Sequence, residues 1–153
     1  MRLGKILLEF LILPTSLFFA YSCQTNSKLT TENNALIEYF EAQFNVNLEN
    51  YDLLCVISEN GCINCNSIYV SKLNPITNRE NVIFLITTKG SYFDISNFTC
   101  IEKENIVYDF NPPKNIDLIS KSTLIFLKDG IFDKEIPVNS ANLDLIEQTI
   151  DNF

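Results

Sequence analysis

Cys62 and Cys65, in Gly61-Cys62-Ile63-Asn64-Cys65, are the residues of this chain whose type and spacing point to chemistry. Two thiols separated by two residues meet across one turn of a helix, so they can form and break a disulfide without distorting the backbone. The first thiol sits where unpaired backbone N–H groups and the helix dipole favour a thiolate. Cys62 is therefore expected to attack a substrate disulfide, and Cys65, one turn on and deeper, to resolve the mixed disulfide. No cation adjoins the pair and Glu59 opposes a thiolate, so only a modest lowering of the Cys62 pKa is expected. That favours a reducing or merely stable site over a strongly oxidising one. The same two residues also permit a structural disulfide, or two inert thiols. Metal is a further alternative, with Cys55, Cys62, Cys65 and Cys100 as four thiolates. Structural zinc sites usually combine two close-set pairs, and only one is present, so neither metal nor cofactor is expected. Cys55 reads as a small core residue, while Cys100 is either a buried thiol or its partner.

Nothing else in the sequence competes for a catalytic role. The chain has no histidine, which removes the usual general base, and it has no Gly-rich phosphate loop and no Ser nucleophile motif. A net charge of −8 with no cluster of Lys and Arg argues against nucleic acid as a partner. Hydrophobic residues make up 46% of the 153 positions, enough for one domain with a core.

The elements that must position the dithiol follow from the hydrophobic pattern. Thr31 can cap a helix over 32–44 with Leu36, Tyr39, Phe40 and Phe44 as its buried stripe. Residues 51–57 are a continuous apolar run of strand length, as a strand covered on both faces requires. The loop 58–61 then delivers the dithiol to a helix over 62–73, with Cys65, Ile68, Tyr69 and Leu73 on one side and Pro75 as the stop. A second buried strand over 81–87 closes a β-α-β unit. Residues 91–101 are ambiguous, and 105–110 read as a short edge strand, with Tyr92, Phe93, Phe98 and Phe110 as core. A strand over 123–128, the turn Asp129-Gly130 and a strand over 131–138 make a hairpin. Ser140 can cap a last helix presenting Leu143, Ile146, Ile150 and Phe153. The fold class is α/β, a central mixed sheet of four to five strands flanked by helices.

The first 22 residues stand apart. Arg2 and Lys5, an apolar stretch from Leu11 to Phe19 and Ala20-Tyr21-Ser22 have the make-up of an export signal. Glu9 and Pro14 interrupt the run, which disfavours a transmembrane anchor. A cysteine directly after such a site, Cys23, resembles the bacterial lipobox, although Tyr21 and the preceding Phe-Phe depart from it. The resemblance implies that Cys23 is lipidated, tethering the chain to a membrane through the polar stretch 23–31. Lipidation also leaves an even number of cysteines. Loss of Arg2, Lys5 and Glu9 leaves nine basic and eighteen acidic residues, so a lipid rather than charge must hold this body at a membrane.

Over residues 32–153 the order of elements, with Cys-x-x-Cys heading the first crossover helix, is similar to the thioredoxin fold. Ser122-Thr123-Leu124-Ile125-Phe126-Leu127-Lys128-Asp129-Gly130 resembles that family's Pro-Thr-Leu strand and its Lys-Asp-Gly turn. With the leader, the chain resembles the membrane-tethered thioredoxin-like proteins of bacterial envelopes. That implies thiol–disulfide exchange with protein thiols and disulfides on the periplasmic side, with Ser122, Thr123 and Gly61 lining the substrate groove. Three departures stand out. Ser122 replaces the family's cis-proline and is expected to be trans, reshaping the groove wall. Val56 occupies the place of the buried acid, and Gly61 that of the aromatic residue before the dithiol. They motivate a second reading, a catalytically degenerate member of the fold that binds a partner protein.

Overall fold

A computed structural model of the chain describes residues 31–88 and 104–153. The leader, Cys23, the tether to residue 30, Cys100 and the ambiguous segment 91–101 lie outside the described residues. Within them, helix α1 covers residues 31–44. It is followed by β1 (Leu53–Ser58), α2 (Ile63–Leu73), β2 (Val82–Thr87), β3 (Ile106–Asp109), β4 (Thr123–Lys128), β5 (Ile131–Pro137) and α3 (Leu143–Asn152). No described helix is long and apolar enough to cross a membrane.

The strands form one mixed sheet in the order β3-β2-β1-β4-β5. β1 runs parallel to β2 and β2 parallel to β3, while β4 is antiparallel to both β1 and β5. Every residue of β1 and β2 is buried, which is why both read as unbroken apolar runs. Alternate side chains feed two cores. Leu53, Cys55 and Ile57 face Tyr69, Val70 and Leu73 of α2 and Ile146 and Ile150 of α3. Leu54 and Val56 face the other way, toward Leu36 and Phe40 of α1.

Several boundaries and faces differ from the sequence expectation. β1 starts at Leu53 because Asp52 turns outward to accept from the Asn81 amide at 2.7 Å. On α2 the buried positions are Cys65, Asn66, Tyr69, Val70 and Leu73, and Ile68 is largely exposed. The stripe is rotated because Asn66 finds a backbone partner in the interior, so its polarity does not keep it outside. Phe110, expected in the core, is 67% exposed, one residue past the end of β3. Ser140 does not cap α3. The Asn139 side chain accepts from the backbone N–H of Ala141 and Asn142 instead, and α3 starts after Asn142.

The β4–β5 turn is as expected, with both Asp129 and Gly130 at positive φ. It has a tertiary role that the hairpin pattern does not contain. A Cβ on Gly130 would lie 2.9 Å from the Glu49 backbone nitrogen and 3.1 Å from its Cα. Gly130→Ala is therefore expected to cost roughly 2–4 kcal/mol, left-handed strain plus displacement of the 48–50 turn. A denaturant midpoint unchanged from wild type would contradict this close approach.

Candidate functional site

The dithiol sits where β1 hands over to α2. Gly61, at φ +118°, makes the sharp entry, and Cys62 is the N-cap residue of α2. The two cysteines form a disulfide with a Cα–Cα separation of 5.2 Å. The Cys65 N–H donates to the Cys62 sulfur at 3.3 Å, so the sulfur caps the helix. The two thiols differ in access: Cys62 is exposed, whereas Cys65 is only 5% exposed. Ile63 between them is 80% exposed and extends the apolar surface beside the disulfide.

Beneath this pair the strand ends are tied by a polar network. Ser58, the last residue of β1, is fully buried. Its N–H donates to the Ser122 hydroxyl at 2.9 Å, and that hydroxyl donates back to the Ser58 carbonyl at 3.2 Å. The same carbonyl accepts from the Asn66 amide at 2.7 Å. The Ser58 hydroxyl accepts from the Asn60 N–H at 3.2 Å and donates to the Ser120 carbonyl, which also takes the Asn60 amide at 3.1 Å. Both ends of the loop carrying Cys62 are thus fixed, one at β1 and one at the segment preceding β4. Glu59 is also held, its carboxylate accepting from the Thr88 hydroxyl at 3.1 Å.

The resemblance places Ser122, Thr123 and Gly61 along the groove, and the three differ in exposure. The peptide bond before Ser122 is trans, since no described peptide is cis. Its side chain is 3% exposed and fully engaged with Ser58. Thr123 is likewise buried. Its hydroxyl donates to the Ile136 carbonyl, and its own carbonyl accepts from Tyr69. Gly61 is the one of the three that faces solvent, with nothing within 4 Å of the place a Cβ would occupy.

Two features lie below the site, where the sequence pattern places Cys55 in the core and Tyr69 on the buried side of α2. Cys55 is a free, fully buried thiol, and burial pushes its pKa up, with a hydrogen bond to Tyr69 opposing. The Tyr69 hydroxyl, raised in turn by burial and then by Cys55, donates to the Thr123 carbonyl at 3.1 Å. Helical spacing places Tyr69 one turn below Cys65 on the same face, which was the available signal. Farther off, Tyr39 of α1 donates to the buried Asp109 carboxylate at the end of β3. The described residues contain no group of three His, Cys, Asp or Glu side chains placed to hold a metal ion. No family model matches this chain, and no curated protein or solved structure does either.

Proposed function

We propose that this protein is a thiol–disulfide oxidoreductase of thioredoxin-like type, working through Cys62 and Cys65 and held in the bacterial envelope by a lipid on Cys23. One observation carries the proposal. An exposed sulfur at a helix N-cap is bonded to a sheltered sulfur one turn on, at the C-terminal end of a buried parallel strand. The thioredoxin-like assignment draws support from the adjacent parallel strands β1 and β2, the antiparallel hairpin that follows and the dithiol on their crossover helix.

In the reduced protein the Cys62 thiolate attacks one sulfur of a substrate disulfide. A Cys62–substrate disulfide forms and the other substrate sulfur leaves as a thiolate. Cys65, deprotonated, then attacks the Cys62 sulfur and expels the second substrate thiolate. Two electrons pass from the dithiol to the substrate, and the two thiol protons end on the substrate sulfurs. The intramolecular disulfide is the product state of the chain. A cellular dithiol must then reduce it for another cycle.

The test is thiol alkylation after acid quench, with the reduced protein exposed to a disulfide-containing peptide. The proposal expects conversion of the dithiol to the disulfide with matching release of peptide thiols, and loss of that conversion in Cys62→Ala. A dithiol that stays reduced while the peptide stays oxidised would overturn it. A Cys62→Ala/Cys65→Ala variant that keeps its function in cells would instead indicate the partner-binding reading. The anchor has its own expected result: Cys23→Ala moves the protein from the membrane to the soluble fraction, and unchanged fractionation refutes lipidation.

A further inference from the structure

We infer that Asn66 is a positioning residue for the dithiol: its bond to the Ser58 carbonyl sets how tightly the Cys62–Cys65 disulfide is held. The residue directly follows Cys65, is only 3% exposed and spends its side chain on one backbone acceptor at 2.7 Å. Its own N–H donates to the Cys62 carbonyl at 2.9 Å. One residue thus links both cysteines to the end of β1.

The consequence lies in the difference between redox states. In the oxidised chain the S–S bond itself fixes the first turn of α2. Once that bond is broken, the two thiols remain within reach only as far as other contacts hold them. Two sets of contacts do so. Asn60, through Ser58 and Ser120, restrains the loop leading to Cys62. Asn66 restrains the first turn of α2, and with it Cys65. Such restraint raises the effective concentration of one thiol at the other and favours ring closure, by the logic that accelerates any pre-oriented intramolecular reaction. Loosening it makes the disulfide easier to reduce.

Asn66→Leu removes the donor with little change of volume. The Ser58 carbonyl keeps its bond from Ser122, so no buried acceptor is left unpaired. The inference rests on the exchange reading for its purpose in the cell, but the measurement does not. It is the equilibrium of the full chain with glutathione: the Cys62–Cys65 disulfide plus two glutathione thiols gives the dithiol plus oxidised glutathione. Asn66→Leu is expected to shift this equilibrium about tenfold toward the dithiol, which for a two-electron couple is about 30 mV. Asn66→Ala, made alongside, is expected to shift it in the same direction and serves if the leucine variant does not fold. Tyr39→Phe supplies the contrast, because it removes a half-buried hydrogen bond on the opposite side of the sheet. It is expected to lower stability and leave the equilibrium unmoved. If the Asn66 variants also lose stability without any shift in the equilibrium, the residue is only structural and the inference fails. A shifted equilibrium in a protein that never oxidises its dithiol with a peptide disulfide would leave the Asn66 role standing and remove the oxidoreductase reading.

Discussion

In Cys65→Ala, exposure to oxidised glutathione is expected to leave a glutathione bonded to Cys62, while in Cys62→Ala the Cys65 thiol remains essentially unmodified. The expectation follows from access. Cys62 projects from the helix N-terminus into solvent, and Cys65, one turn on, is buried. Thiolate attack requires both an ionised sulfur and a path to it; exposure gives Cys62 the path, and its N-cap position is expected to favour its thiolate. With Cys65 present, the mixed disulfide is short-lived, because the resolving sulfur is one turn away. Without it, the adduct has no intramolecular exit. Initial adduct formation should differ between the two single variants by roughly 100-fold, the product of modest advantages in ionisation and exposure. Peptide mapping by mass spectrometry after acid quench reads the difference at Cys62 and Cys65 separately from Cys23 and Cys100. Cys55 serves as an internal check: it is fully buried with a pKa pushed upward, so neither variant should be labelled there. Comparable labelling of both variants would mean that the order of exposure is not the order of attack.

How much of this site could be read from the sequence depends on the range of the interactions that build it. The strands β1 and β2, the helix carrying the dithiol and the Asp129-Gly130 turn were all legible, because each is written in consecutive residues. The pattern of apolar positions cannot report contacts between segments far apart. Ser58 and Ser122 are 64 residues apart, and Tyr39 and Asp109 are 70 apart. Each is an ordinary polar residue until the fold brings its partner. Asn66 is the instructive case. The pattern of apolar residues puts Ile68 on the buried side of α2, yet Asn66 is the buried residue and Ile68 is exposed. A polar side chain can be buried when its own donors find a partner inside, here the strand-end carbonyl of Ser58. Ser122 shows the reverse limit. Its position opposite the dithiol loop was legible from the strand it precedes, but its hydroxyl serves the β1 end rather than the groove. Phe110 adds a third kind of discrepancy, since hydrophobic residues are found inside only on average.

Alkaline pH should unfold this protein early, and the Tyr69 hydroxyl should be one measurable cause. Among the described residues, four groups are held in their neutral forms, with pKa values raised chiefly by burial: Tyr39, Cys55, Tyr69 and Tyr108. In the unfolded chain a cysteine ionises near about pH 8.5 and a tyrosine near about 10. Below those values both states are protonated and these groups add no pH dependence. Above them the unfolded chain has released protons that the folded chain still holds, so stability falls as pH rises. It goes on falling until the raised folded-state values are reached. Each such group steepens the decline by up to about 1.4 kcal/mol per pH unit. Tyr69→Phe removes one of them and also the bond to the Thr123 carbonyl, a loss of about 1 kcal/mol because that carbonyl keeps its place in the ladder opposite Val56. The variant should therefore be the less stable protein at pH 7 and show the shallower decline above pH ~10. The two stability curves should cross near about pH 10.5–11, where the accumulated linkage equals the lost hydrogen bond. Denaturant titrations at half-unit intervals from pH 7 to ~12 would locate the crossing. Curves that stay parallel throughout would show that Tyr69 ionises no differently in the folded and unfolded chains, and that burial beneath the dithiol does not hold it neutral.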